Sequence, residues 1–98
     1  MMYKTESKGS KDTLSITERI RAYGTRHGIR HSPKRNAVAM VLEKATRAMD
    51  AEQVWLQLKQ EHVRISIGAV YLSLNWLVKA QLAQKKIRED RKAVFERI

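Results

Sequence analysis

Helix-start signals recur four times between Ser15 and Ser66, each opening a stretch too short to be a stable helix alone. Ser15-Ile16-Thr17-Glu18 is a capping box, in which Ser15 and Glu18 satisfy each other's free backbone N–H groups. Ile16, Ile20, Tyr23 and His27 follow at helical spacing and Gly28 offers a left-handed stop, which predicts a helix over about 16–27. Ser32 caps a second helix, with Pro33 at the first position, where its missing N–H is no loss. Val38, Val41, Leu42 and Ala45 form its apolar stripe. Asp50 and Gln53 open a third helix, stapled by Met49 and Val54, with Val54, Trp55 and Leu58 facing the core. Ser66 caps a fourth, stapled by Ile65 and Val70, whose face is Val70, Leu74, Leu77 and Val78.

After Ala80 the period changes. Leu82 to Ile87 and Ala93 to Ile98 read as two short strands, and the wholly charged Arg88-Glu89-Asp90-Arg91-Lys92 between them reads as a hairpin tip. The predicted fold is mainly α with a small β-hairpin: a winged helix-turn-helix of four helices plus a two-stranded wing. In that architecture the last helix enters the major groove of DNA and the helix before it supports it.

Length and composition agree with a single small domain. The 98 residues allow one modest core, with residues 1–14 expected as a polar, basic tail and residues 15–98 as the winged-helix domain. The first residues carry no hydrophobic signal segment, and no apolar run is long enough to span a bilayer. There is no cysteine, which excludes disulfides and thiolate chemistry. A cytoplasmic, nucleoid-associated protein is expected. Net charge is +10, and its distribution is uneven: residues 15–36 hold six basic groups against one acid, and residues 81–98 hold six against three. Residues 37–80 between them carry five against four. Two basic segments around a nearly neutral middle point to a polyanionic partner, double-stranded DNA above all.

Specific residues carry a family resemblance. Ser32-Pro33-Lys34-Arg35 is similar to the Thr-x-x-Arg that opens the second helix of ferric uptake regulator family proteins, and Asp50-Ala51-Glu52-Gln53-Val54-Trp55 resembles their third helix. Ile65 to Leu77 is similar to their recognition-helix motif, i-s-x-a-T-V-Y-R-x-L-x-x-L, and Lys92-Ala93-Val94-Phe95-Glu96 to their second wing strand. The resemblance covers residues 16–98 with spacing kept through all five elements. It implies a DNA-binding transcription regulator or accessory factor. Arg35, with Lys34 beside it, would touch the DNA backbone, and Tyr71 would reach thymine methyls or the adjacent backbone. Lys85, Lys86, Arg88, Arg91 and Lys92 on the wing would follow flanking phosphates or a minor groove. Ser66, Ala69, Leu72 and Ser73 complete the candidate set on the recognition helix.

Departures from the motif matter as much. The family's Thr and Arg in Thr-Val-Tyr-Arg are Ala69 and Leu72 here, so a donor able to reach a guanine edge or a phosphate is replaced by an apolar group. Leu72 and Trp76 stand four apart, off the Val70/Leu74/Leu77 face. They pack together or on the first helix, contact thymine methyls, or anchor a protein partner. The last option defines an alternative function, a protein-interaction module; association with a second copy is also open. The family's metal-binding dimerisation half is not represented before Ile98, and His27 and His31 straddle Gly28 rather than sharing a helix face. No metal, cofactor or small-molecule substrate is therefore expected. No glycine-rich phosphate loop occurs, and Ser32, Ser66 and Ser73 have no histidine at a nucleophile's spacing, so an enzyme is not expected. Arg19, Arg21 and Arg26 make helix one basic, but core packing explains its short apolar face better than a membrane does.

Overall fold

A computed structural model describes residues 15–98; the tail expected over residues 1–14 lies outside them. The order is α1 (Ile16–His27), α2 (Pro33–Lys44), β1 (Met49–Asp50), α3 (Ala51–Gln60), α4 (Ile67–Lys79), β2 (Ala83–Ile87) and β3 (Ala93–Arg97). The four helices and the hairpin occur where the sequence predicts them, and the architecture is a winged helix. Strand β1 is additional.

Every helix begins on its expected cap. The side chains of Ser15, Ser32, Asp50 and Ser66 accept hydrogen bonds from the backbone N–H groups of Glu18, Arg35, Gln53 and Ala69, and Ser15/Glu18 and Asp50/Gln53 form reciprocal boxes. A further free N–H at the start of α1, that of Ile16, donates to the Glu43 carboxylate from α2 at 2.9 Å. Helix ends are less legible. Gly28 takes the left-handed conformation at φ 67°, as expected, but His62 and Gln81 do so as well, at φ 61° and 62°. After α3, the N–H groups of His62 and Val63 turn back to the carbonyls of Lys59 and Leu58. After α4, those of Gln81 and Leu82 turn back to Val78 and Leu77. This is the double bond of a Schellman end, stable enough to hold a non-glycine residue at positive φ.

The sheet has order β1-β3-β2, all antiparallel, with Phe95 paired to Met49 on one side and Lys85 on the other. Met49 and Asp50 thus serve twice, as a two-residue strand and as the staple and cap of α3. Such a strand has no period to read. Helix α2 lies at the centre and touches α1, α3, α4 and β3. Ile16 and Ile20, Val38 and Leu42, Val54 and Leu58, Val70, Leu74 and Leu77, with Leu82 and Phe95, make one buried core. At the wing tip, Arg88 N–H donates to the Lys92 carbonyl and Arg91 N–H to the Arg88 carbonyl, with Arg91 at φ 68°. That is a three-residue hairpin loop closing on a left-handed residue.

Three carboxylates in these local motifs titrate below their ordinary range. Glu18 is held down by the Ser15 backbone N–H and then its hydroxyl, Asp90 by the Arg88 guanidinium, and Glu96 by the Lys86 ammonium. A depressed folded-state pKa gives stability that is present above the unfolded value and is lost as pH falls through the folded one. Denaturation midpoints should therefore decline from about pH 5 downwards. Glu18→Gln, which keeps the capping bond without the titration, should flatten that decline.

Candidate nucleic-acid interface

The 3.6-residue period divides α4 sharply. Val70, Ser73, Leu74 and Leu77 face inward, while Ile67, Gly68, Tyr71, Leu72, Asn75 and Lys79 are exposed. Tyr71 is 49% and Leu72 is 73% exposed, so both are available to a partner. Ser73 is not: at 8% exposed it follows Val70 by one turn into the core, which corrects its inclusion among the candidate DNA contacts. Ser66 is exposed but its hydroxyl is spent on the cap, accepting from Ala69 N–H at 3.1 Å; Ala69 itself is half-buried.

One shoulder of α4 is built by Trp76. Its ring meets Tyr23 of α1 edge-on at 5.3 Å between centroids, and the Arg35 guanidinium stacks over it at 3.8 Å. Tyr23 in turn packs on His27 at 4.2 Å. Leu72 and Trp76 therefore part company: Trp76 packs on the first helix, one of the expected alternatives, while Leu72 is exposed. Arg35 is oriented twice over, since its Nη2 also donates to the Arg30 carbonyl at 2.9 Å. Partial burial lowers its pKa by desolvation, but a guanidinium remains a cation. Among the described residues its Nε is buried without a hydrogen-bond partner.

Arg35 does not stand alone. A groove of about 300 Å³ between α1 and the start of α2 is lined by Arg21, Arg30, His31 and Arg35, among others. Arg21 and Arg30 were not among the candidates. The charge excess over residues 15–36 signalled them, but only the approach of α1 to the loop after Gly28 gathers them in one place. That approach is close: a Cβ on Gly24 would lie 3.2 Å from the Ile29 carbonyl oxygen. Lys34 is exposed on the first turn of α2.

The other shoulder of α4 is the wing. Ile67 and Tyr71 line a shallow cavity with Arg91, Lys92, Asp50 and Glu52. Several wing cations already have partners: Lys86 pairs with Glu96 at 2.7 Å, and Arg88 with Asp90 at 2.9 Å and Asp50 at 3.6 Å. Lys92 lies 3.9 Å from both Asp50 and Glu52. The Asp90 hydrogen bond raises the Arg88 pKa further. The pairs between exposed side chains, Lys86 with Glu96 and Arg88 with Asp90, are weak, so a phosphate can compete for these cations. Lys85 and Arg91 have no ion pair among the described residues. From Ile67 to Trp76 the outward face of α4 is thus uncharged, with clustered cations on its α1/α2 side and cations mixed with carboxylates on its wing side. No group of three His, Asp or Glu side chains among the described residues could hold a metal, and no helix among them is long and apolar enough to cross a membrane.

Comparison with known proteins gives the same outline. Residues 26–98 match the model of the ferric uptake regulator family. The ferric uptake regulator of Helicobacter pylori is similar in structure with a TM-score of 0.75 at 24% identity, covering 95% of this chain and 61% of that one. That of Vibrio cholerae gives 0.72 at 22%, covering 81% and 61%. The peroxide-sensing regulator PerR of Streptococcus pyogenes gives 0.75 at 21%, covering 86% and 58%. At these identities the likenesses speak for the fold, and the chain spans about three fifths of the length of those proteins. No curated protein matches the chain. The match over residues 26–98, a span that holds α2, α3, α4 and the wing, shows that the chain belongs to the ferric uptake regulator family.

Proposed function

We propose that this chain is a DNA-binding module of a transcription regulator, docking α4 in the major groove. The observation that carries this reading is the cluster of Arg35 with Arg21 and Arg30 beside Trp76, joined on the other side of α4 by Arg91 and Lys92, which share their cavity beside Tyr71 with Asp50 and Glu52. Flanking cations neutralise phosphates and release counterions, while an uncharged central face can sit against base edges at little desolvation cost. A single module of this size buries roughly 600–1,000 Å² on DNA, so its affinity alone is modest and a second copy would strengthen it.

Binding to short duplexes, titrated at several salt concentrations, tests the proposal. The slope of log affinity against log salt should be about −0.9 for each phosphate neutralised, and Arg35→Ala should remove about one such unit. Affinity indifferent to salt, or a slope unchanged in Arg35→Ala, would sink it. The exposure of Leu72 favours a second reading, a protein-binding surface. Trp76, the better anchor, is already covered by Tyr23 and Arg35, which weakens that reading.

A further inference from the structure

We infer that the groove between α1 and the start of α2 is a binding site for a free, multiply charged phosphate compound of the diphosphate class, which competes with DNA for Arg35. The competition rests on the DNA-binding reading; the site itself does not. Arg21, Arg30, His31 and Arg35 line about 300 Å³ of groove, together with the hydroxyl-bearing Thr17 and Thr25 of α1. Among the described residues no Asp or Glu lines it, unlike the cavity on the wing side, where Asp50 and Glu52 stand beside Arg91 and Lys92. The carboxylates of α1 and α2 are occupied elsewhere. Glu18, one turn before Arg21, accepts from the Ser15 backbone N–H at 3.0 Å, and Glu43 accepts from that of Ile16 at 2.9 Å.

Gathering like charges in one groove has a cost that the chain itself does not offset. Partial burial pushes the Arg35 pKa down by desolvation, and no carboxylate opposes the shift. Its guanidinium is nonetheless fixed, by stacking over Trp76 at 3.8 Å and by donation to the Arg30 carbonyl at 2.9 Å. A desolvated, oriented cation without a counter-charge of its own is stabilised by an anion that arrives from outside. Charge density then selects the class of anion. A DNA backbone brings a single negative charge per nucleotide, spread along a strand. A terminal phosphate carries about −1.5 to −2 near neutral pH, and a diphosphate more, in one compact group. Three guanidinia around one cavity suit the compact group, because their forked donors can meet several of its oxygens at once. Arg35 serves one ligand at a time, so the diphosphate displaces DNA.

Calorimetric titration with inorganic pyrophosphate, at constant ionic strength in chloride, tests the site. One pyrophosphate should bind per chain, about tenfold more tightly than orthophosphate, which meets fewer guanidinia. Arg21→Gln and Arg30→Gln should each weaken it about tenfold. Both side chains are exposed, and Arg30 holds Arg35 through its backbone carbonyl, so neither change disturbs the fold. Arg47→Gln is the control for net charge. Arg47 lines a separate cavity of about 530 Å³ with Lys44, Arg88 and Glu61. Its replacement should change pyrophosphate affinity by about twofold at most. In a second arm, pyrophosphate is added to the protein bound to a short duplex. It should release DNA well beyond what chloride of equal ionic strength does, and Arg30→Gln should blunt that release. No saturable binding, or a loss in Arg47→Gln equal to that in Arg30→Gln, overturns the site and leaves DNA binding intact. Saturable binding without release of DNA overturns the competition. A protein that binds pyrophosphate but no duplex at low salt supports the site and overturns the DNA-binding reading.

Discussion

Phe95→Ala should destabilise the protein by about 3–5 kcal/mol, a large share of the roughly 5–15 kcal/mol that holds a domain of this kind together. Phe95 is the only phenylalanine in the chain and is 2% exposed. It sits on the central strand, opposite Met49 and Lys85, so it belongs to both strand pairs at once. Its strand touches α2 and α3, and the ring is part of the common core. Truncation removes the ring's transfer free energy and leaves a cavity that three antiparallel strands cannot close by moving singly. Urea denaturation would measure the loss, with Ile87→Ala as the control on the same hairpin. Ile87 is 65% exposed, and its truncation should change stability by no more than about 0.5 kcal/mol. A loss under about 1 kcal/mol for Phe95→Ala would mean that the wing is not keyed to the helical core through this side chain.

The largest effect on binding short of removing Arg35 itself should come from Trp76→Ala. Cation–π stacking at 3.8 Å and the bond to the Arg30 carbonyl restrict the Arg35 guanidinium before any phosphate arrives. Without the ring, Arg35 regains its rotamer freedom and must be ordered on binding. Trp76→Ala should therefore lower DNA affinity about tenfold while leaving the salt slope nearly unchanged, because Arg35 still reaches its phosphate, whereas Arg35→Ala flattens the slope. Trp76→Phe should keep most of the affinity. Because the two residues act as one unit, the double mutant should be scarcely worse than either single mutant. Additive losses in that cycle would show that Trp76 matters only for packing against Tyr23. Thermal melts of each variant separate the two effects, since a shared fold defect would lower the melting temperature in proportion to the affinity.

The starts of the helices, their inward faces and the wing were legible in the sequence because each is decided within a few residues. A serine or aspartate three residues before its N–H partner, and an apolar group every third or fourth position, act whatever the rest of the chain does. Arg35, Tyr71 and the wing cations came to notice through the family resemblance of the segments that carry them. Local spacing failed wherever two distant surfaces had to meet. Strand β1 exists only because β3 arrives beside Met49 and Asp50. The wing cations are partly neutralised by Asp50, Glu52 and Glu96, which come from other strands and helices, and Ser73 points inward with Val70 and Leu77 although it stands among the candidate contacts of the recognition helix. The left-handed ends at His62 and Gln81 carry no glycine to announce them. Trp76 and Leu72, alike as apolar residues one turn apart, have opposite fates for a tertiary reason. Tyr23 and Arg35 arrive from α1 and α2 over Trp76, and no element among the described residues covers Leu72. Local spacing determined which face of α4 turns outward; the approach of α1 and the wing decided which of its side chains stay exposed.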